Sequence, residues 1–134
     1  MKIKTRIIDD VAVLTVSGPL MSGPDVMWFH DHIKGLVLKD RIVKVAVDFS
    51  KIKWFGSAML GVLTASLGTV RAEGGDLRIT GITKKIQSIL MVTHLAGIFR
   101  TLDTVDRAVA SFKTQPPNPA AQPAVEPAIA PVTT

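Results

Sequence analysis

The chain has 134 residues, 47% of them hydrophobic, and 16 Lys and Arg against 11 Asp and Glu give a formal net charge of +5. That is enough for one domain with a real core, and no apolar run of about 18 residues is present to span a bilayer as a helix. The lack of cysteine excludes disulfides, thiolate catalysis and cysteine-based zinc sites, and the charge-broken opening from Met1 to Asp10 is no signal peptide, so a cytoplasmic location is expected.

Lys2, Lys4 and Arg6 alternate with Ile3, Thr5 and Ile7, which predicts an edge strand whose charges discourage edge pairing. Asp9-Asp10 supplies a turn. Val11 to Ser17 is a second strand ended by Gly18-Pro19, so the opening pair reads as an antiparallel hairpin. Ser22-Gly23-Pro24-Asp25 then announces a helix, with a cap candidate, a proline suited to the first position and an early acid. Val26, Phe29, His30, Ile33, Leu36 and Val37 share its apolar face. Trp28 lies well away from the centre of that stripe and is a candidate partner contact, unless a neighbouring loop covers it.

Ile42 to Phe49 alternates Val43, Val45 and Val47 with Lys44, Ala46 and Asp48 and predicts the central strand, although Ala46 and Phe49 blur its two faces. Beyond Gly56-Ser57, Leu60, Leu63, Leu67 and Val70 recur at helical spacing. Ser57 therefore falls at or beside a helix N-terminus, where unpaired backbone N–H groups and the macrodipole favour negative charge. Lys34, Lys39, Arg41, Lys44, Lys51 and Lys53 surround this stretch against Asp40 and Asp48 alone. An acidic partner and ordinary solvating charge are both compatible with them. Without an Arg-rich aromatic platform, nucleic-acid binding is not expected.

Ala72 to Asp76, with its Gly74-Gly75 pair, reads as a helix stop and turn, and Leu77 to Gly81 as a short strand. Thr83 caps a helix from Lys84 to about Val92, with Ile86, Ile89, Leu90 and Thr93 set inward. Arg100 to Leu102 is a brief last strand. Asp103 or Thr104 caps a last helix through about Phe112, with Val105, Ala108, Val109 and Phe112 at core spacing. Six of the eight prolines lie between Pro116 and Pro131, so 114–134 is expected to be a disordered Pro- and Ala-rich tail after a domain spanning 1–113.

The predicted fold class is thus α/β: a mixed, mostly parallel sheet of four to five strands packed with about four helices. An enzyme is not expected. His30 and His32 point to different faces of their helix, His94 is distant in sequence, and no known phosphate-loop motif occurs, so no cofactor or metal is predicted.

Several stretches in this order carry a family likeness: Val13-Leu14-Thr15-Val16-Ser17-Gly18-Pro19-Leu20, Val45-Ala46-Val47-Asp48-Phe49-Ser50, Gly74-Gly75-Asp76-Leu77-Arg78-Ile79-Thr80-Gly81, and Ile89 to Leu95 followed by Ile98-Phe99. From Met1 to Phe112 the chain resembles the STAS domain, the family of bacterial anti-sigma-factor antagonists that also forms the cytoplasmic ends of sulfate transporters. That family's signature, Asp-Ser-x-Gly-Leu-Gly, holds a serine phosphorylated by a cognate kinase that is also the anti-sigma factor. Its counterpart is Gly56-Ser57-Ala58-Met59-Leu60-Gly61, where Ser57, Leu60 and Gly61 agree and Gly56 and Met59 depart.

The resemblance implies a non-enzymatic, phosphorylated regulator of transcription that works by partner switching. It would bind an anti-sigma factor or serine kinase, with phosphorylation at Ser57 as the switch. The partner-binding candidates are Trp28, Trp54, Phe55, Gly56, Ser57 and Met59, with core packing as the other reading of Trp54 and Phe55. The alternative is an unphosphorylated STAS subunit or scaffold of a larger assembly, such as a lipid-transport complex, in which Ser57 is a plain N-cap.

Overall fold

The computed structural model describes residues 2–18, 24–52, 57–93 and 97–115. Ten elements follow one another: β1 (Lys2–Ile8), β2 (Val11–Ser17), α1 (Pro24–Lys34) continued by a π-helical turn (Gly35–Lys39), β3 (Lys44–Lys51), α2 (Ser57–Ala72), β4 (Asp76–Thr80), α3 (Lys84–Val92), β5 (Arg100–Leu102) and α4 (Val105–Thr114). The five strands form one sheet in the order β1-β2-β3-β4-β5. β1 is antiparallel to β2 and every other pair is parallel. Asp9 (φ 50°) and Asp10 (φ 66°) are both left-handed, as a two-residue hairpin loop that matches the strand twist requires.

The strand order explains where the helices lie. From β2 to β5 the chain steps across the sheet in one direction, and parallel crossovers are right-handed, so α1, α2 and α3 fall on the same face. There Leu14, Val45, Val47, Leu77 and Ile79 meet Phe29, Ile33, Leu63, Leu67, Ile86 and Leu90 in the main core. Among the described residues α4 alone covers the other face, packing Ala108, Val109 and Phe112 on Val11, Val13 and Ala46. β3 is therefore buried on both sides along much of its length, and a small Ala46 under α4 beside a large Phe49 under the other helices is what blurs its alternation.

Three local expectations are corrected. β3 begins at Lys44 and reaches Lys51, because the Ile42 N–H is drawn back to the Leu36 carbonyl at 2.9 Å. Thr93 is exposed rather than inward; its hydroxyl turns back to the Ile89 carbonyl at 2.7 Å and closes α3. α4, expected to end at about Phe112, runs to Thr114, and the Gln115 N–H donates to the Ser111 carbonyl at 2.8 Å. The tail expected from there onward lies, from 116, outside the described residues.

Candidate functional site at the end of the central strand

The end of β3 is built by its own carboxylate. Asp48 Oδ1 accepts the Ser50 N–H at 2.9 Å, and the pairing with β2 slips by one residue between Thr15↔Asp48 and Ser17↔Lys51. Such a bulge bends the strand where pairing stops. The end of β4 closes against it at Gly81, whose φ is +70°. A Cβ there would stand 2.8 Å from Asp48 Oδ1 and 2.9 Å from the Ser50 nitrogen. Asp48 is thus a structural acceptor packed between two strand ends.

Past residues 53–56, α2 opens at Ser57 and runs 16 residues with no acid in its first turn. Its N-terminus sits on the carboxyl-end side of the parallel strands, where open α/β sheets gather their binding surfaces. Trp54, Phe55 and Gly56 lie outside the described residues, as does the side chain of Ser57. Ala58 is exposed. Met59 is fully buried and does not join a surface patch. With Leu60 it heads the stripe of Leu63, Leu67 and Val70 that faces the sheet, so helical periodicity assigns it to the core.

Trp28 is 52% exposed on α1, and it belongs elsewhere on the surface. His30 Nε2 lies 3.3 Å from Thr69 Oγ1, and Thr69 is twelve residues beyond Ser57, about 18 Å along α2. That pairs the Trp28 turn with the far half of α2. The histidines do not converge either, since His32 Nε2 is 2.8 Å from Thr5 Oγ1 on the opposite flank of α1. The His30 imidazole is held below its ordinary pKa of 6.5, first by burial and then by Lys34, with Asp31 opposing. His94 lies outside the described residues. Among the described residues no three His, Asp or Glu side chains form a metal-binding group.

Two features escaped the sequence reading. A pocket of about 200 Å³ lies at the carboxyl ends of β4 and β5, lined by Gly81, Ile82, Gln87, Thr101, Leu102 and Asp103. Beneath α4 lies a buried charge cluster. Asp76 accepts from Arg71 Nε (3.1 Å) and Arg78 Nε (3.0 Å). Arg78 also donates to Ser111 Oγ (2.8 Å) and the Gln115 carbonyl (2.6 Å), and its guanidinium lies 4.1 Å from the centre of the Phe112 ring. In the sequence, Asp76, Arg78 and Thr80 alternate with Leu77 and Ile79 as a solvent-facing row would. Nothing local signals that a distant helix covers them.

Together these features define a class: a small mixed-sheet α/β domain with three helices on one face, one on the other, and a serine opening the helix after its central strand. The STAS domain model matches residues 2–108, and the chain belongs to that family. An anti-sigma factor antagonist from Mycobacterium paratuberculosis shares the fold at a TM-score of 0.70 and 21% identity, over 84% of this chain and 93% of that one. The Bacillus cell fate determinant SpoIIAA in its phosphorylated form does so at 0.64 and 13%, over 81% and 97%. A sulfate transporter family protein from Wolinella succinogenes does so at 0.66 and 15%, over 81% and 89%.

Proposed function

We propose that this STAS domain is a non-enzymatic cytoplasmic regulator of the anti-sigma-factor-antagonist kind. It binds an anti-sigma factor or serine kinase at the β3–α2 junction, and phosphorylation of Ser57 releases it. The observation that carries this reading is the place of Ser57 as first residue of a 16-residue helix with no acid in its first turn. The first N–H groups of a helix lack intrahelical acceptors, so a phosphate on this residue is favoured by the helix end in the free protein. Pressed against an apolar or acidic partner, the same group, with roughly two negative charges, must be desolvated or repelled. Modification therefore weakens the complex more than it perturbs the domain. That SpoIIAA, a protein of this fold, has a phosphorylated form supports the reading.

A second reading, a constitutive STAS subunit of a larger assembly, is favoured by one observation. Met59 fills the core at a position where the signature has glycine, and the acid before the serine is replaced by Gly56. The two separate cleanly. After incubation with a partner serine kinase and ATP, mass spectrometry should find one phosphate on Ser57 and none in Ser57→Ala. Ser57→Asp should weaken capture of that partner by about tenfold or more. Absence of phosphate together with unchanged capture by Ser57→Asp would leave the constitutive subunit standing.

A further inference from the structure

At the far side of the sheet from α2, β1 forms an edge whose outer rim pairs with no other described strand. Its two faces are unlike. Lys2, Lys4 and Arg6 project on the α4 side of the sheet, opposite Ser17, Thr15 and Val13 of β2. α4 packs over β2 to β5, and of β1 it is Ile8 that joins the cluster beneath it, while all three cations stay exposed. None of them makes a hydrogen bond or ion pair with another described residue, whereas Lys44 and Lys113 near the hairpin turn are paired to Asp10 and Asp9. The other face carries Ile3, Thr5 and Ile7. Thr5 is tied to His32 of α1, and Ile7, two residues further along the edge, is 54% exposed.

This pattern selects among occupants. A second copy of β1 would set Lys2, Lys4 and Arg6 against one another, and like charges directly opposite are unfavourable. A polyphosphate would satisfy the cations and leave the apolar flank wet. A strand with acids at every second position satisfies both faces at once, because its side chains alternate with the same period of two.

We propose that the outer edge of β1 is a strand-addition site for an extended acidic segment of another protein, alternating Asp or Glu with apolar residues. Backbone hydrogen bonds continue the sheet, the acids lie beside Lys2, Lys4 and Arg6, and the apolar side chains cover Ile7 on the other face. β2 separates this edge from β3, so it is a second surface, independent of Ser57.

The test is fluorescence anisotropy of the full chain with a labelled peptide alternating glutamate and valine. Controls are a scrambled peptide of the same composition and two versions N-methylated on odd or on even residues. The patterned peptide should bind and weaken with salt. One N-methylated version alone should lose binding, since only every second N–H meets the edge. The Lys4→Glu/Arg6→Glu double variant, altered at exposed positions and checked for an unchanged melting temperature, should weaken binding about tenfold or more, while Ser57→Asp should leave it unchanged. Any of four results would overturn the site: no binding of the patterned peptide at millimolar concentration, equal binding of the scrambled peptide or of both N-methylated versions, indifference to the charge reversal, or a β1-mediated dimer of the free chain that Ile7→Asp disperses.

Discussion

Arg78 shows how much one buried side chain can organise. It is 3% exposed, and its charge is answered by Asp76, Ser111, the Gln115 carbonyl and the Phe112 ring. Asp76 in turn serves two arginines, and Arg71 extends the cluster to the Ile98 carbonyl at 3.0 Å. Removing one member of a buried ion cluster strands the others, at a typical cost of about 3–5 kcal/mol. Asp76→Ala is therefore expected to lower unfolding free energy by about that amount in urea titrations. Asp76→Asn, which keeps an acceptor oxygen, should fall in between.

Gly81 is the second such residue. Any L side chain there meets both a left-handed backbone and the Asp48 carboxylate 2.8 Å away. Gly81→Ala should cost about 1–3 kcal/mol, read from the same titrations, since neither strand end can back away without losing the Asp48–Ser50 turn. His30 adds a pH dependence whose sign follows from its depressed pKa. The folded imidazole takes up a proton less readily than the unfolded one, so this contribution is intact above pH 6.5 and is lost as pH falls from there through the folded value. Thermal melts from about pH 7.5 to 5 should show the decline, and His30→Gln should flatten it over the part of the range just below pH 6.5.

Among the elements, α4 carries a burden out of proportion to its ten residues. It is the described helix that closes the second face of the sheet, and Arg78 grips it near its C-terminal end. A chain cut after residue 113 loses the Gln115 carbonyl and the last turn that presents it. One cut after 118 keeps both. The shorter chain should be less stable by about 1.5–3 kcal/mol, the range for a hydrogen bond to a charged group, by chemical denaturation of the two truncations. The amphipathic spacing of Val105, Ala108, Val109 and Phe112 was legible in the chain because helical periodicity is local. Which face of which sheet it covers was not, because Ala46 and Arg78 are brought beneath it only by the crossovers.

For the molecule as a whole, the monotonic strand order sets the β3–α2 junction in the interior of the sheet and β1 at its rim. Trp28 illustrates the consequence. It pairs by level with the far half of α2, so Trp28→Ala should leave capture of a partner at the Ser57 junction within about twofold. It should change stability by no more than about 0.5 kcal/mol, as for other surface positions. Parallel pull-downs and melts of the variant and of Ser57→Asp check both.

The sequence by itself determined the elements, their order and the antiparallel first pair. Alternation, helical stripes and caps such as Thr83 and Thr104, both of which accept a backbone N–H three residues on, act within a few residues of chain. It also placed Ser57 where a strand gives way to a helix. Only the tertiary structure decided that Met59 belongs to the core, that Asp48 braces two strand ends and that Asp76 and Arg78 are buried beneath a helix from the end of the domain. Those outcomes depend on which surfaces meet after the crossovers close, and burial is a property of the assembled layers rather than of any stretch that enters them.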